Sequence, residues 1–397
     1  MKNEQEVSTI RLLGVFMLAR LTASTAFRMV YPFLPALARG LGVPVEAVAA
    51  AISARAALGF FGPAFGAAAD LRGRKQALVV ALVVFGISLG VIGFWPTYAV
   101  FFLGLLVSGG AAVLIDASIH AYIGDTIPYA QRGRAAAVVE FGWSLAYVVG
   151  IPLVGWSMGR SGWNTPFLWL GLAGLAVGGL AHWLVPALPV SSQGMKELTA
   201  GLRTIWRPAP LMGLLVALLV VLANQVISIV FGIWMEASFG LQLEQLGAAS
   251  IVIGLAGVAG VTAAIVFTDR LGKRRAIAAG IGLNMLACLA LPAASGQLWA
   301  ALAGLFVIYL SFEFLLTSLI PLMTALTPQA RGTFMAANVA AISLGDALGA
   351  LLGPVLFQRG LAANAGAAAV FNLAAVLILL AFVRPAEDDQ GRVGSPD

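Results

Sequence analysis

The residues best placed to do chemistry in this sequence are the few ionisable side chains that lie inside long apolar runs. Arg20 stands nine residues beyond Arg11 in the first run, and Asp116 nine residues before Asp125 in the fourth. At about 1.5 Å per residue, both lie roughly 13 Å in from the charged ends of their helices. His120 is one helical turn from Asp116 on the same face. A carboxylate facing a guanidinium keeps its charge, and one that loses that partner or is desolvated alone takes up a proton. The pair therefore has the chemistry of a proton-linked cycle; the plainer reading is an ion pair that ties two helices together. Glu313 lies between Phe312 and Phe314, with Thr317 one turn away and no basic residue within two turns, so its surroundings favour the protonated form. Asn224, Gln225 and Ser228 offer hydrogen bonds at similar depth in the seventh run, where amides also serve as helix–helix glue. Arg28 and Arg55 occupy the far halves of the first two runs and either attract an anion or snorkel to carbonyls and interface. Glu140 and His182 lie toward the ends of their runs and read as structural. Asp346, beside Gly345 and Gly349, reads as a close helix contact.

What must hold these residues is set by composition. Of 397 residues, 60% are hydrophobic and only 10% charged, whereas a water-soluble domain carries about a quarter charged residues to cover its core. A bilayer removes that need. Twelve apolar runs, divided by Gly, Pro and charge clusters, predict helices over 10–38, 45–69, 76–95, 98–124, 135–158 and 165–187, then 210–236, 246–268, 276–295, 298–325, 333–357 and 361–383. Trp95, Trp163, Trp183, Trp206, Trp234 and Trp299 fall near predicted ends, as interfacial aromatics do. Met1 to Thr9 carries Glu4 and Glu6 and no small-residue cleavage site, so the first run is expected to remain as a spanning helix. The lone Cys288 can form neither an internal disulfide nor a multi-cysteine metal site.

The basic residues sort by loop. Lys2, Arg11, Arg72, Arg74, Lys75, Arg132, Arg134, Lys196, Arg203, Arg207, Arg270, Lys273, Arg274, Arg275, Arg331, Arg384 and Arg392 fall on one side; Arg39, Arg160 and Arg359 fall on the other. The positive-inside bias then places both termini in the cytoplasm with an even number of crossings. It also accounts for a pI near 9.8 without a nucleic-acid partner. The longest internal polar stretch, 188–209, contains a possible surface amphipathic helix over Met195 to Trp206 and separates two halves, 1–187 and 210–397. The halves repeat. At a shift of 199 residues Asp70 meets Asp269, Gly73 meets Gly272, Arg74 meets Lys273 and Lys75 meets Arg274; Arg132-Gly133 meets Arg331-Gly332, and Ser144-Leu145 meets Ser343-Leu344. One register over separate loops points to parallel repeats about an axis along the membrane normal.

Gly66-Ala67-Ala68-Ala69-Asp70-Leu71-Arg72-Gly73-Arg74-Lys75 resembles the signature loop of the major facilitator superfamily. Asp269-Arg270-Leu271-Gly272-Lys273-Arg274 is a degenerate copy, with Ile265 in place of the leading glycine. Tyr31-Pro32-Phe33-Leu34-Pro35, Gly162-Trp163 and Trp234-Met235-Glu236 resemble the drug and sugar efflux branch. The resemblance implies an all-α membrane fold of twelve helices in two pseudo-symmetric six-helix bundles, with the first, fourth, seventh and tenth helices lining a central cavity. On that frame Arg20, Asp116 and His120 become neighbours in one wall, and Asn224, Gln225, Glu313 and Thr317 belong to the other. It further implies that Asp70 approaches Arg331 to Phe334, and that Arg74 lies close to Asp125. Thr324 occupies the position 199 residues after Asp125, so the second half is expected to lack that ion pair. Two departures from the branch stand out: Leu105 and Leu106 precede Gly109 and Gly110 where many exporters carry an arginine, and Gly150-Ile151-Pro152 replaces an adjacent Gly-Pro.

The expectation is an alternating-access secondary transporter of a small organic solute, working as a proton-coupled exporter. A facilitator or importer of an anionic solute is the alternative, drawn from Arg20, Arg28 and Arg55. A membrane-embedded enzyme or sensor is remote, because no acid/base or metal cluster is legible and the two histidines lie on different helices. With no Walker-type loop, ATP is not expected as direct energy source. No catalytic residue, metal or cofactor is expected. The expected partners are the solute, protons and the lipid bilayer, with the chain acting as a multi-pass monomer in a bacterial-type inner membrane.

Overall fold

The computed structural model describes residues 2–62, 65, 73–188, 207–327 and 331–383, and those residues are helical or connecting, with no strand among them. Eleven helical stretches are long and apolar enough to cross a membrane, and a bent pair, Leu34–Leu41 with Val45–Phe61, makes twelve if it counts as one span. The molecule is built for lipid: Leu103, Leu172, Val370 and Leu377 stand exposed, while Asn284, Asn364 and Asn372 are fully buried. Gly66, Asp70, the expected surface helix from Met195 to Trp206, and the expected approach of Asp70 to Arg331 lie outside the described residues.

The chain forms two compact units, the first comprising Met1–Gly194 with Phe231–Gly254, the second Met195–Val230 with Leu255–Asp397. In the first, α1 (Lys2–Arg28) is followed by α2 (Leu34–Leu41), α3 (Val45–Ala57), α4 (Arg74–Phe94), α5 (Tyr98–Thr126), α6 (Tyr129–Leu145), α7 (Ile151–Ser161) and α8 (Thr165–Leu184). α4 packs between α5 and α8, and α1 lies against α6 and α8. α10 (Phe231–Phe239) and the first turns of α11 (Leu243–Leu271) complete it. Glu236 of α10 receives two hydrogen bonds from the Arg39 guanidinium of α2, at 2.7 and 3.3 Å.

In the second unit, α9 (Pro208–Ser228) packs on α14 (Arg331–Phe357) and α15 (Leu361–Phe382), and α12 (Lys273–Ala290) packs on α13 (Leu298–Leu326) and α15. Val216, Val220, Ile281, Leu319, Leu322 and Phe334 belong to its apolar core. Asn284 threads through that unit: its Nδ2 donates to the Ile308 carbonyl at 2.9 Å and the Ser311 hydroxyl at 3.1 Å, and its Oδ1 accepts from Asn372 Nδ2 at 2.9 Å. The Asn284 amide is tolerated in the interior because both its nitrogen and its oxygen find partners inside the protein.

Several expected helices are interrupted, three of them as follows. The first run, expected unbroken over 10–38, leaves α1 at Arg28 and resumes at Leu34. Pro32 lacks an N–H, and Pro35 can sit only in the first turn of the next helix. The backbone is largely repaired, with Met29 N–H donating to Thr25 O at 2.9 Å and Leu37 N–H to Phe33 O at 2.9 Å, as the interior of a bilayer demands. In the fifth run Ala146–Gly150 forms a π-helical turn just before Pro152, and in the seventh the helix breaks at Ile229 and Val230.

The backbone also carries the internal repeat. All six described glycines with positive φ form pairs across the chain, Gly42 with Gly240, Gly73 with Gly272, and Gly162 with Gly360, at offsets of 198, 199 and 198 residues. Gly73 and Gly272 agree closely in conformation (φ 85°, ψ 138° and φ 80°, ψ 135°) and cap α4 and α12 in turn.

Candidate functional site

The charged cluster of the first unit is assembled by three helices. α1 carries Arg20, and α6 comes close enough to meet it because Gly142 has no side chain: a Cβ there would lie 2.7 Å from the Met17 carbonyl oxygen and 3.2 Å from the Arg20 Cβ. That approach brings Glu140, one half-turn away on α6, beside Arg20. α5 supplies Asp116 and His120.

Arg20 holds both carboxylates. Its Nη1 donates to Asp116 Oδ1 at 2.7 Å and its Nη2 to Glu140 Oε2 at 3.1 Å. The His120 ring closes the group, with Nδ1 at 3.0 Å from the Asp116 backbone carbonyl and Nε2 at 3.5 Å from Glu140 Oε1. Arg20 is the most enclosed member, at 24% side-chain exposure, whereas Asp116, Glu140 and His120 are each between 42 and 44% exposed. A lone charge at mid-span costs about 2.5–3.5 kcal/mol on insertion scales, so a partner for each charge is what makes the group tolerable there. Donor atoms of Asp116, His120 and Glu140 lie within 4.8 Å of one another. The Arg20 guanidinium is the cation that the two carboxylates share in this arrangement.

Structure therefore brings Arg20, Asp116 and His120 together and adds Glu140, which sequence reasoning had set aside as structural. The missed signal was the spacing of Gly142 and Gly150 on α6 and its π-helical continuation. Each marks a close approach to α1, at Met17–Leu21 and at Thr25, and Arg20 lies within the first of them.

Arg28 is placed apart from this group, among rings: its Cζ is 5.0 Å from the Trp143 centroid, 5.6 Å from Phe27 and 5.8 Å from Tyr147. Arg55 is buried, its Nη2 donating to the Phe27 carbonyl at 3.0 Å while its Cζ sits 3.9 Å from the Phe27 ring centroid. Both are cation–π arrangements, worth about 0.5–2 kcal/mol each.

In the second unit the polar candidates do not all converge. Ser228 accepts from Asn224 Nδ2 at 3.2 Å and from the Tyr309 hydroxyl at 2.8 Å, and donates to the Asn224 carbonyl at 2.9 Å. Gln225 instead packs its Cβ and Cγ over Gly349 of α14. Glu313 is half-buried where α13 crosses Gly260 of α11, and Thr317 is half-buried one turn farther along. His182 stacks edge-on against Trp183.

At the loop ends, Arg74 Nε donates to Asp125 Oδ2 at 2.9 Å. Lys75 and Lys273 are half-buried and Asp269 is exposed. Arg274 donates to the Leu379 and Leu380 carbonyls at the end of α15, where a cation also complements the helix dipole.

Sequence and fold comparisons agree. The family model described as Major Facilitator Superfamily matches residues 16–308 and 213–396. The MFS-type transporter YwfA of Bacillus subtilis (strain 168) is 27% identical over 383 residues, covering 94% of this chain and 89% of its own. A chloramphenicol efflux pump of Mycobacterium tuberculosis is 26% identical over 296 residues, covering 73% of this chain and 71% of its own. Among solved structures, a D-xylose-proton symporter matches 95% of this chain and 98% of its own with a TM-score of 0.75 at 19% identity, a likeness of fold.

Proposed function

From the premise that this chain belongs to the major facilitator superfamily, and is a multi-pass membrane transporter rather than an enzyme, we propose that it exports a small organic solute in exchange for protons by alternating access. The observation that carries this reading is the cluster of Arg20, Asp116, Glu140 and His120 inside the first unit. Three titratable groups share one half-open site within a span with the fixed cation of Arg20, and their hydrogen bonds change whenever one of the three gains or loses a proton. The chloramphenicol pump among the relatives supports the outward direction. In this reading residues 1–187 and 210–397 form the two six-helix halves, both termini are cytoplasmic, and a monomer in a bacterial inner membrane suffices. Asn224, Ser228, Glu313 and Thr317 contribute the wall of the second half.

The test is transport by purified protein in liposomes, with chloramphenicol as first probe and a panel of small solutes after it. Asp116→Asn and Glu313→Gln are compared with wild type under an imposed pH gradient. Loss of at least tenfold in gradient-driven accumulation, with folded protein and retained probe binding, is the expected result. If both variants respond to the gradient like wild type, the proton role is wrong.

A second reading has its own observation. Arg28 and Arg55 both lie near Phe27, a concentration of positive charge that suits an anionic solute moved down its gradient. Transport of an organic anion that ignores the pH gradient would favour it.

A further inference from the structure

We propose that the exchangeable proton of this cluster resides on Nε2 of His120, and that Glu140 is the positioning residue whose carboxylate accepts the hydrogen bond of that N–H. The proposal rests on the proton-coupled reading and adds the atom. A backbone carbonyl only accepts, so the 3.0 Å contact between His120 Nδ1 and the Asp116 carbonyl makes Nδ1 the donor. The lone pair of the neutral ring is then on Nε2, which faces Glu140 Oε1 at 3.5 Å. Glu140 is divided between two partners: Oε2 takes Nη2 of Arg20 at 3.1 Å, and Oε1 is turned to the ring. With 44% of its side chain exposed, the ring is open to a proton from water.

The charges identify the same atom. Arg20, Asp116 and Glu140 with a neutral ring sum to one negative charge, and a proton on Nε2 brings the group to zero. A span interior favours the neutral sum. Arg20 donates to both carboxylates, whereas Nε2 of His120 faces an acceptor, Glu140 Oε1, so a proton added at Nε2 is the one that gains a hydrogen bond. Charged and titratable groups on neighbouring elements enter this balance as follows. α5 itself carries Asp116 and, at its end, Asp125, which Arg74 of α4 holds. α1 brings Arg20 with Arg28 two turns farther on, α6 brings Glu140 with Arg132 and Arg134 near its start, and α3 brings Arg55.

In the step itself the Nε2 lone pair takes a proton from a hydronium ion, whose O–H bond breaks to leave water, and forms an N–H bond aimed at Glu140 Oε1. The carboxylate of α6 is thereby drawn toward α5 as well as α1. On release the proton returns to water, the lone pair is restored, and Glu140 is left to Arg20 alone. The proton thus decides which helices Glu140 joins.

The chain has only two histidines, so the full-length protein labelled with 15N-histidine gives two ring systems, and His182→Asn assigns them. The expected result is an Nδ1–H tautomer for His120 in the neutral ring, with Nε2 as the nitrogen that gains and loses the proton. Glu140→Gln should then bind the proton at least tenfold more weakly, and Glu140→Asp should restore it; the His182 signal reports whether each variant is folded. A ring of the opposite tautomer, a ring that does not titrate, or a titration indifferent to Glu140→Gln overturns the assignment and leaves the transport reading standing. A titrating His120 in a protein whose chloramphenicol transport ignores the pH gradient overturns the coupling reading on which the assignment rests.

Discussion

Arg74 and Asp125 are bonded across two helix ends: Nε of the first residue of α4 donates to Oδ2 near the end of α5, at 2.9 Å. The corresponding positions of the second half, Lys273 and Thr324, hold no such pair, since Thr324 lacks a carboxylate and its hydroxyl donates to the Pro321 carbonyl of its own helix at 3.1 Å. Among the described residues, the Arg74–Asp125 pair therefore fastens α4 to α5 without a counterpart at Lys273 and Thr324.

A double-mutant cycle reads that asymmetry. Arg74 is 19% and Asp125 46% exposed at the side chain, so solvent screening keeps the coupling of Arg74→Gln with Asp125→Asn to about 0.5–1 kcal/mol. Thermal unfolding in detergent is the measurement. The matching cycle of Lys273→Gln with Thr324→Val should show no coupling, and an equal value in both halves would contradict the asymmetry.

Gly73 and Gly272 begin α4 and α12 with a backbone conformation that side chains avoid. Each Gly→Ala change there should cost about 1–3 kcal/mol, seen as lowered unfolding temperature, although nothing stands within 4 Å of a Cβ at Gly272. Gly124, which has ordinary helical φ and equally open surroundings, is the control: Gly124→Ala should be neutral or stabilising by about 0.5–1 kcal/mol.

Gly86 and Gly171 allow α4 and α8 to touch backbone to backbone. A Cβ at Gly86 would lie 2.7 Å from the Gly171 carbonyl oxygen, and one at Gly171 2.7 Å from the Gly86 carbonyl oxygen. Since neither obstacle is a movable side chain, Gly171→Val should force the helices apart and destabilise by about 1–3 kcal/mol or more. Gly179→Val, on the same helix but open within 4 Å, should fold normally on a size-exclusion and thermal-melt comparison.

Much of this protein was determined by sequence alone, because its main constraint is local. Hydropathy over about 20 residues decides which segments can leave water, so the spans, the repeat and the depth of Arg20 and Asp116 could all be read along the chain, and equal depth was enough to suggest their pairing. Rotation about a helix axis and the breaks within a span are not local in that sense. Glu140 joined Arg20 only once Gly142 let α6 approach α1, a contact between residues more than a hundred apart in sequence. Gln225 went to Gly349 while its neighbour Asn224 turned to Ser228, a choice made by the faces of α9 that its partners cover. The gap between Arg28 and Leu34 was signalled by Pro32 and Pro35, but its repair by Thr25 and Phe33 carbonyls follows from folding in a medium that offers no water to unmet backbone groups.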